Sequence, residues 1–133
     1  MTIGVLMINH QPLGQAMLDV SVKALRVCPL ATRVLDVPLD SEPEEIATRA
    51  TEMIKELDTG DGVLVLTDLC GSTPSNIARR LTGYKVLVVA GLNLPMLIRI
   101  LNYPNLPLEE MAERAIDGGR QGVMLLPNNP DQH

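Results

Sequence analysis

Ile3-Gly4-Val5-Leu6-Met7-Ile8-Asn9-His10-Gln11-Pro12-Leu13-Gly14 is the stretch whose reading decides the fold. The unbroken apolar run Ile3–Ile8 predicts a strand buried on both faces, the mark of a parallel sheet covered by helices. At Asn9 the apolar residues stop and a histidine follows, and Pro12 and Gly14 punctuate the start of a helical pattern. A strand passing straight into a helix is the first half of a βαβ unit. Open α/β sheets gather their chemistry at the C-terminal ends of such strands, where His10 falls.

The same alternation continues along the chain. Leu13, Met17, Val20, Ala24 and Val27 recur at helical spacing and predict an amphipathic helix with that face buried, stopped by Pro29. Arg33–Val37 reads as a shorter, less apolar strand near the sheet edge. Ser41-Glu42-Pro43-Glu44 has the form of a capping box, ahead of a helix marked by Ile46, Ala50, Met53, Ile54 and Leu57. Gly62–Thr67 is a third strand, left by the small-residue loop Asp68-Leu69-Cys70-Gly71-Ser72-Thr73-Pro74. Thr73 and Pro74 are the expected N-cap and first-turn pair of the next helix.

Lys85–Ala90 is the fourth strand, and Asn93 and Pro95 open a short helix through Leu101. A helix carrying Leu108, Met111, Ala115 and Ile116 follows, closed by Gly118-Gly119, and then a last strand, Gly122–Leu126. The fold class is therefore α/β, an open, mainly parallel sheet flanked by helices, with right-handed crossovers. A strand order of 2-1-3-4 is the common arrangement at this length. It makes strands one and three neighbours and opens a crevice between the loops that follow them, which brings His10 beside the Asp68–Pro74 loop. One domain is expected over residues 1–126, with a loose polar tail over 127–133.

Composition narrows the function. The 133 residues are 46% hydrophobic and 20% charged, with no Trp or Phe and two Tyr. The core is thus aliphatic, and no aromatic platform exists for stacking bases. A net charge of −5 likewise argues against nucleic acid as a partner. No signal-peptide pattern occurs, and every apolar run falls short of the roughly 18 residues of a membrane span. Cys28 and Cys70 have no metal spacing, so no metal and no cofactor are expected, and two unpaired thiols fit a reducing cytoplasm.

Three features carry chemistry. His10 stands at the end of the first strand, and Asp68 leaves the third at the same end of the sheet. Asp68 can accept a hydrogen bond from one ring nitrogen of His10, which fixes the tautomer and frees the other nitrogen as a nucleophile. Gly71, Ser72 and Thr73 make an anion cradle of backbone N–H groups and hydroxyls at a helix start. The loop has no Gly-Lys-Ser/Thr, so it is no Walker nucleotide site, and Ser72 and Ser75 lack the G-x-S-x-G elbow of a hydrolase. The reaction these parts suit is transient phosphoryl capture on histidine, with the protein supplying position and electrostatics.

At these residues the chain resembles the enzyme IIA component of the mannose family of the bacterial sugar phosphotransferase system. The resemblance rests on His10 with Gly14 following, on Asp68-Leu-Cys-Gly-Ser-Thr-Pro-Ser-Asn76, on Gly91-Leu-Asn-Leu-Pro-Met-Leu97, and on Gly119-Arg-Gln-Gly-Val123. It implies that His10 is phosphorylated on Nε2 by phospho-HPr, passes the group to a histidine of an enzyme IIB partner, and is oriented by Asp68. It also implies a homodimer in which the last strand, Gly122–Leu126, crosses to pair antiparallel with the partner's sheet. The chain departs from the family's usual pattern at Gln11, where Gly is common, and at Cys70 and Ser72. Three rival readings use the same fold: a regulatory module controlled by phosphorylation, the related phosphocarrier subunit of dihydroxyacetone kinase, and a ligand-binding domain without phosphorylation.

Overall fold

The computed structural model describes residues 2–81 and 85–127. Its elements run β1 (Gly4–His10), α1 (Leu13–Leu25), β2 (Ala31–Val37), α2 (Pro43–Leu57), β3 (Val63–Thr67), α3 (Thr73–Arg79), β4 (Val86–Ala90), α4 (Leu94–Leu101) and α5 (Leu108–Gln121). The four strands form one parallel sheet in the order β2-β1-β3-β4, as the alternation of elements predicts. The weakly apolar β2 takes an edge, and the wholly buried runs of β1 and β3 take the centre.

Two apolar layers cover the sheet. On one face Val5, Met7, Leu64 and Leu66 meet Leu97, Ile100, Met111 and Ala115 of α4 and α5. On the other, Leu6, Ile8, Val63 and Val65 meet Ile46, Ile54 and Leu57 of α2 and Ile77 and Ala78 of α3. Burial of this aliphatic surface is the driving force that the 46% hydrophobic content supplies.

Several local expectations are corrected. Helix α1 ends at Leu25, where Arg26 takes a left-handed conformation (φ 65°) and donates its N–H to the Val22 carbonyl, so Pro29 does not stop it. Its buried face is also displaced. Gly14 and Ser21 are buried and Met17, Leu18 and Leu25 pack on the core, whereas Leu13, Val20 and Val27 are 42%, 50% and 58% exposed. Small residues let the helix lie close to the sheet, and a count of apolar side chains cannot register them.

The Ser41–Glu44 capping box does not form: Glu42 is the N-cap of α2, and the Ser41 hydroxyl donates to the Pro38 carbonyl instead. In α3 the N-cap is Ser72, one residue before the expected Thr73. Asn93 does cap α4, accepting from the Met96 N–H at 2.9 Å. Finally, Gly118 and Gly119 do not close α5, which runs on to Gln121. A Cβ on Gly118 would stand 2.6 Å from the Arg99 Cβ, and one on Gly119 would stand 2.9 Å from the Met96 Cε. These glycines let α5 press against α4. Gly122 then ends α5, and residues 123–127 lie outside the sheet, exposed. From residue 128 the expected loose tail lies outside the described residues.

Candidate active site

His10 is the last residue of β1, and the site follows from unequal strand lengths. On one side β1 pairs with β2 as far as His10↔Val37, and the Gln11 N–H donates to the Val37 carbonyl at 3.1 Å. On the other side pairing with β3 stops at Ile8↔Thr67. The His10 backbone N–H therefore has no ladder carbonyl on the β3 side. The carboxylate of Asp68, the first residue beyond β3, takes its place. Its Oδ2 accepts from the His10 backbone N–H at 3.0 Å and lies 2.9 Å from the ring Nδ1.

That double contact fixes the histidine. A carboxylate only accepts, so in the neutral ring Nδ1 carries the proton and Nε2 keeps its lone pair. The His10 side chain is 40% exposed, whereas that of Asp68 is 8% exposed. A buried orienting group under an exposed ring is the arrangement a nucleophilic imidazole needs. The structure thus brings together the two residues that the assumed strand order brought together.

The loop expected to cradle an anion runs from Gly71 into the start of α3. Gly71 has φ +84°, a conformation that favours glycine, with open space where a Cβ would stand. Gly71 and Thr73 are exposed beside the start of α3. Ser72 is turned inward: its hydroxyl and its N–H both donate to the Leu69 carbonyl, and its own carbonyl accepts from the Ser75 hydroxyl and the Asn76 N–H. Cys70 is exposed on the same loop.

Two residues that sequence reasoning passed over also belong here. Asp36, on β2, accepts from the Gly14 N–H at 2.9 Å and the Gln15 N–H at 3.1 Å, capping α1 from a neighbouring strand. Asn9, paired in register with Asp36, is fully buried, and neither its Oδ1 nor its Nδ2 has a hydrogen-bond partner among the described residues. A signal was available for Asn9, a polar residue at the end of an otherwise apolar run, but Asp36 lies in a strand that also carries Thr32 and Arg33. A cleft of about 470 Å³ lies elsewhere, along β4 and α5, lined by Val88, Ala90, Asn93, Met96, Ile116 and Val123. Among the described residues no group of three His, Cys, Asp or Glu side chains could hold a metal ion. No helix there is long and apolar enough to cross a membrane.

The site is thus a half-exposed histidine held by an aspartate at the C-terminal end of a parallel α/β sheet. The chain belongs to the family described as the PTS system fructose IIA component, whose model matches residues 4–115. It is 34% identical over 91 residues to the PTS system mannose-specific EIIAB component of Escherichia coli strain K12, an alignment that takes in 65% of this chain and 28% of that protein. It is 30% identical over 112 residues to the transcriptional regulatory protein LevR of Bacillus subtilis, taking in 80% of this chain and 12% of LevR. The chain therefore spans only a small part of the length of these relatives. The mannose/sorbose-specific IIA subunit of the phosphotransferase system from Enterococcus faecalis has the same fold, with a TM-score of 0.86 at 25% identity, covering 97% of this chain and 98% of that one.

Proposed function

We propose that this protein is a phosphohistidine carrier of the sugar phosphotransferase system, accepting a phosphoryl group on His10 Nε2 from phospho-HPr and passing it to an enzyme IIB histidine. The observation that carries the reading is the 2.9 Å contact between His10 Nδ1 and Asp68 Oδ2, which leaves Nε2 as the free nucleophile. In the transfer the P–N bond of phospho-HPr breaks as a new P–N bond forms at Nε2, while the Nδ1 proton stays on the hydrogen bond to Asp68. The ring becomes cationic as its lone pair is used, and the buried carboxylate stabilises that charge. Gly71 and Thr73 supply N–H groups to the phosphoryl oxygens, and Ser72 joins them by turning its hydroxyl away from Leu69. The exposed Leu39 and Leu69, on the loops after β2 and β3, offer apolar contact to protein partners.

The carrier works as a cytoplasmic homodimer, one IIA unit per protomer over residues 1–126. Val123, Met124, Leu125 and Leu126 are 76%, 65%, 98% and 73% exposed, which is costly for a chain left alone in water. The β4 edge and the adjoining 470 Å³ cleft form a receiving surface for a strand of that character from a second copy. The likeness to LevR supports a second reading, in which the phosphorylation state of His10 regulates another protein and no sugar moves.

The test incubates the protein with phosphoenolpyruvate, enzyme I and HPr and looks for an acid-labile phosphoryl group. Label on the wild type and none on His10→Ala is expected. No label, or equal label on both, ends the phosphocarrier reading. Onward transfer to an added enzyme IIB separates the carrier from the regulator.

A further inference from the structure

Asp68 grips His10 with one oxygen only. Its Oδ2 takes both His10 contacts, while Oδ1 is buried with no hydrogen-bond partner among the described residues. A carboxylate held through a single oxygen can rotate about its own Cβ–Cγ bond, and the side chain is 8% exposed, so bulk water does not hold the other end. Something inside the protein must, because buried polar atoms in native proteins are nearly always satisfied.

Two neighbours carry unpartnered buried polar atoms among the described residues: Thr67, whose side chain stands on the strand face opposite to that of residue 68, and Asn9. Asn9 is closed off from solvent, with a relative exposure of 0%, and both polar atoms of its amide are unpartnered among the described residues. It is bonded directly to His10, whose backbone N–H donates to Asp68 Oδ2. In the sheet it stands between two acids, registered against Asp36 on β2 and one step beyond the Ile8↔Thr67 pair on the β3 side. The room is made by Gly14. A Cβ there would stand 3.0 Å from Asn9 Nδ2 and 2.5 Å from Asp36 Oδ1. An amide presents two donors and an acceptor, and a carboxylate oxygen is a strong acceptor. A water between these buried, unpartnered atoms would have the two or more polar partners that it needs.

We infer that Asn9 is a positioning residue for His10: its buried amide, through one internal water, holds the Oδ1 side of Asp68 and so keeps Oδ2 turned onto His10 Nδ1. Asp36 completes the row, since the same strand end that carries Asn9 is tied through Asp36 to the start of α1. A neutral amide is the residue type this place requires. A third carboxylate would repel both acids, and an aliphatic side chain would leave Oδ1 bare.

The inference rests on the phosphohistidine reading of the site, and its test is read without phosphorylation. The ¹⁵N NMR spectrum of the His10 ring in the unphosphorylated protein gives the ratio of Nδ1–H to Nε2–H tautomers. Asn9→Ala and Asn9→Ser differ by one hydroxyl and leave similar space, so their difference reads the polar group and not the cavity. Asn9→Ala is expected to move the ring toward Nε2–H and to slow phosphoryl uptake from phospho-HPr by ~10-fold, the scale of one hydrogen bond to a charged group. Asn9→Ser is expected to recover most of both. A wild-type tautomer ratio in Asn9→Ala, or equal shifts in the Ala and Ser variants, overturns the inference. Should Asn9→Ala fail to fold, Asn9→Leu, close in volume to asparagine, is compared directly with the wild type, and an unchanged tautomer ratio overturns the inference. Loss of labelling in the wild type would overturn the carrier reading instead, whatever the tautomer ratio shows.

Discussion

Replacing Asp68 by asparagine removes a charge and little else, and the structure says how the new side chain must sit. Two donors, the His10 backbone N–H at 3.0 Å and the ring Nδ1–H at 2.9 Å, converge on the single atom Oδ2. An amide nitrogen at that point would face two donors with donors of its own. The substituted amide is therefore held with its carbonyl oxygen toward His10 and its NH₂ in the place of Oδ1. Both hydrogen bonds survive, weakened from charge-assisted to neutral, and the loss per bond is about 1–2 kcal/mol. The Nδ1 bond strengthens as the ring gains positive charge, so its loss appears in the rate: about 5- to 30-fold slower transfer. In the proposed transfer the phosphoryl group develops on Nε2, across the ring from residue 68, so relief of repulsion between carboxylate and phosphate offsets little of this. Single-turnover transfer from ³²P-labelled phospho-HPr measures it, with circular dichroism to show that the fold is kept. A rate within about twofold of wild type in a folded Asp68→Asn protein would refute the reasoning and take Asp68 out of the mechanism.

Gly14→Ala tests the crowding beneath α1. Its Cβ would stand 2.5 Å from Asp36 Oδ1 and 2.9 Å from Val34 Cγ1, so the cap must open, and a loss of about 2 kcal/mol in urea unfolding is expected. A change below about 0.5 kcal/mol would show that the cap yields freely. Ile54→Ala empties a site with 0% exposure in the layer under α2 and should cost about 3 kcal/mol, read by the same denaturation. The pair Arg80–Glu44 gives the pH test. The Arg80 guanidinium, hydrogen-bonded to Glu44, holds that carboxyl below its ordinary value of 4.5. A depressed carboxyl contributes stability above its unfolded value and loses it as pH falls through the folded one. The difference in melting temperature between wild type and Arg80→Ala should therefore be small at neutral pH, because the pair is fully exposed, and should vanish on acidification below pH 4.5.

The sheet was legible because its information lies in long apolar runs. Ile3–Ile8 and Gly62–Thr67 read as strands buried on both faces and take the centre, and Arg33–Val37, with its charges, reads as nearer the edge, although the equally apolar β4 takes the other edge. His10 and Asp68 were legible for the same reason, as polar residues where such runs end. What escaped was everything carried by small residues or by backbone. Gly14 and Ser21 define the buried face of α1 by having little side chain, so a reading of apolar periodicity chose the exposed Leu13 and Val20. Gly118 and Gly119 have the sequence form of a helix stop, yet they are contact points for Arg99 and Met96. Ser41 satisfies the Pro38 carbonyl, a choice that depends on the loop's path and not on the S-x-x-E spacing.

The escape of Asn9 and Asp36 has a further cause. Both are polar residues inside strands, and a strand's polar residues read as its solvent side unless the neighbouring strands are known. Once the order β2-β1-β3 is fixed, Asp36, Asn9 and Asp68 fall in a row across three adjacent strand ends, about 4.8 Å apart from one to the next. The outer two each accept two N–H donors, from Gly14 and Gln15 on one side and from His10 on the other. On the proposed link through Asn9, the histidine is held on a framework shared with the start of the helix that follows it, and a change at either end of the row reaches the ring. That is why a stability measurement on Gly14→Ala and a transfer rate on Asp68→Asn should be read together. If the row acts as one unit, the Gly14→Ala protein, though folded, transfers more slowly than wild type. If the two ends are independent, it loses stability and keeps its rate.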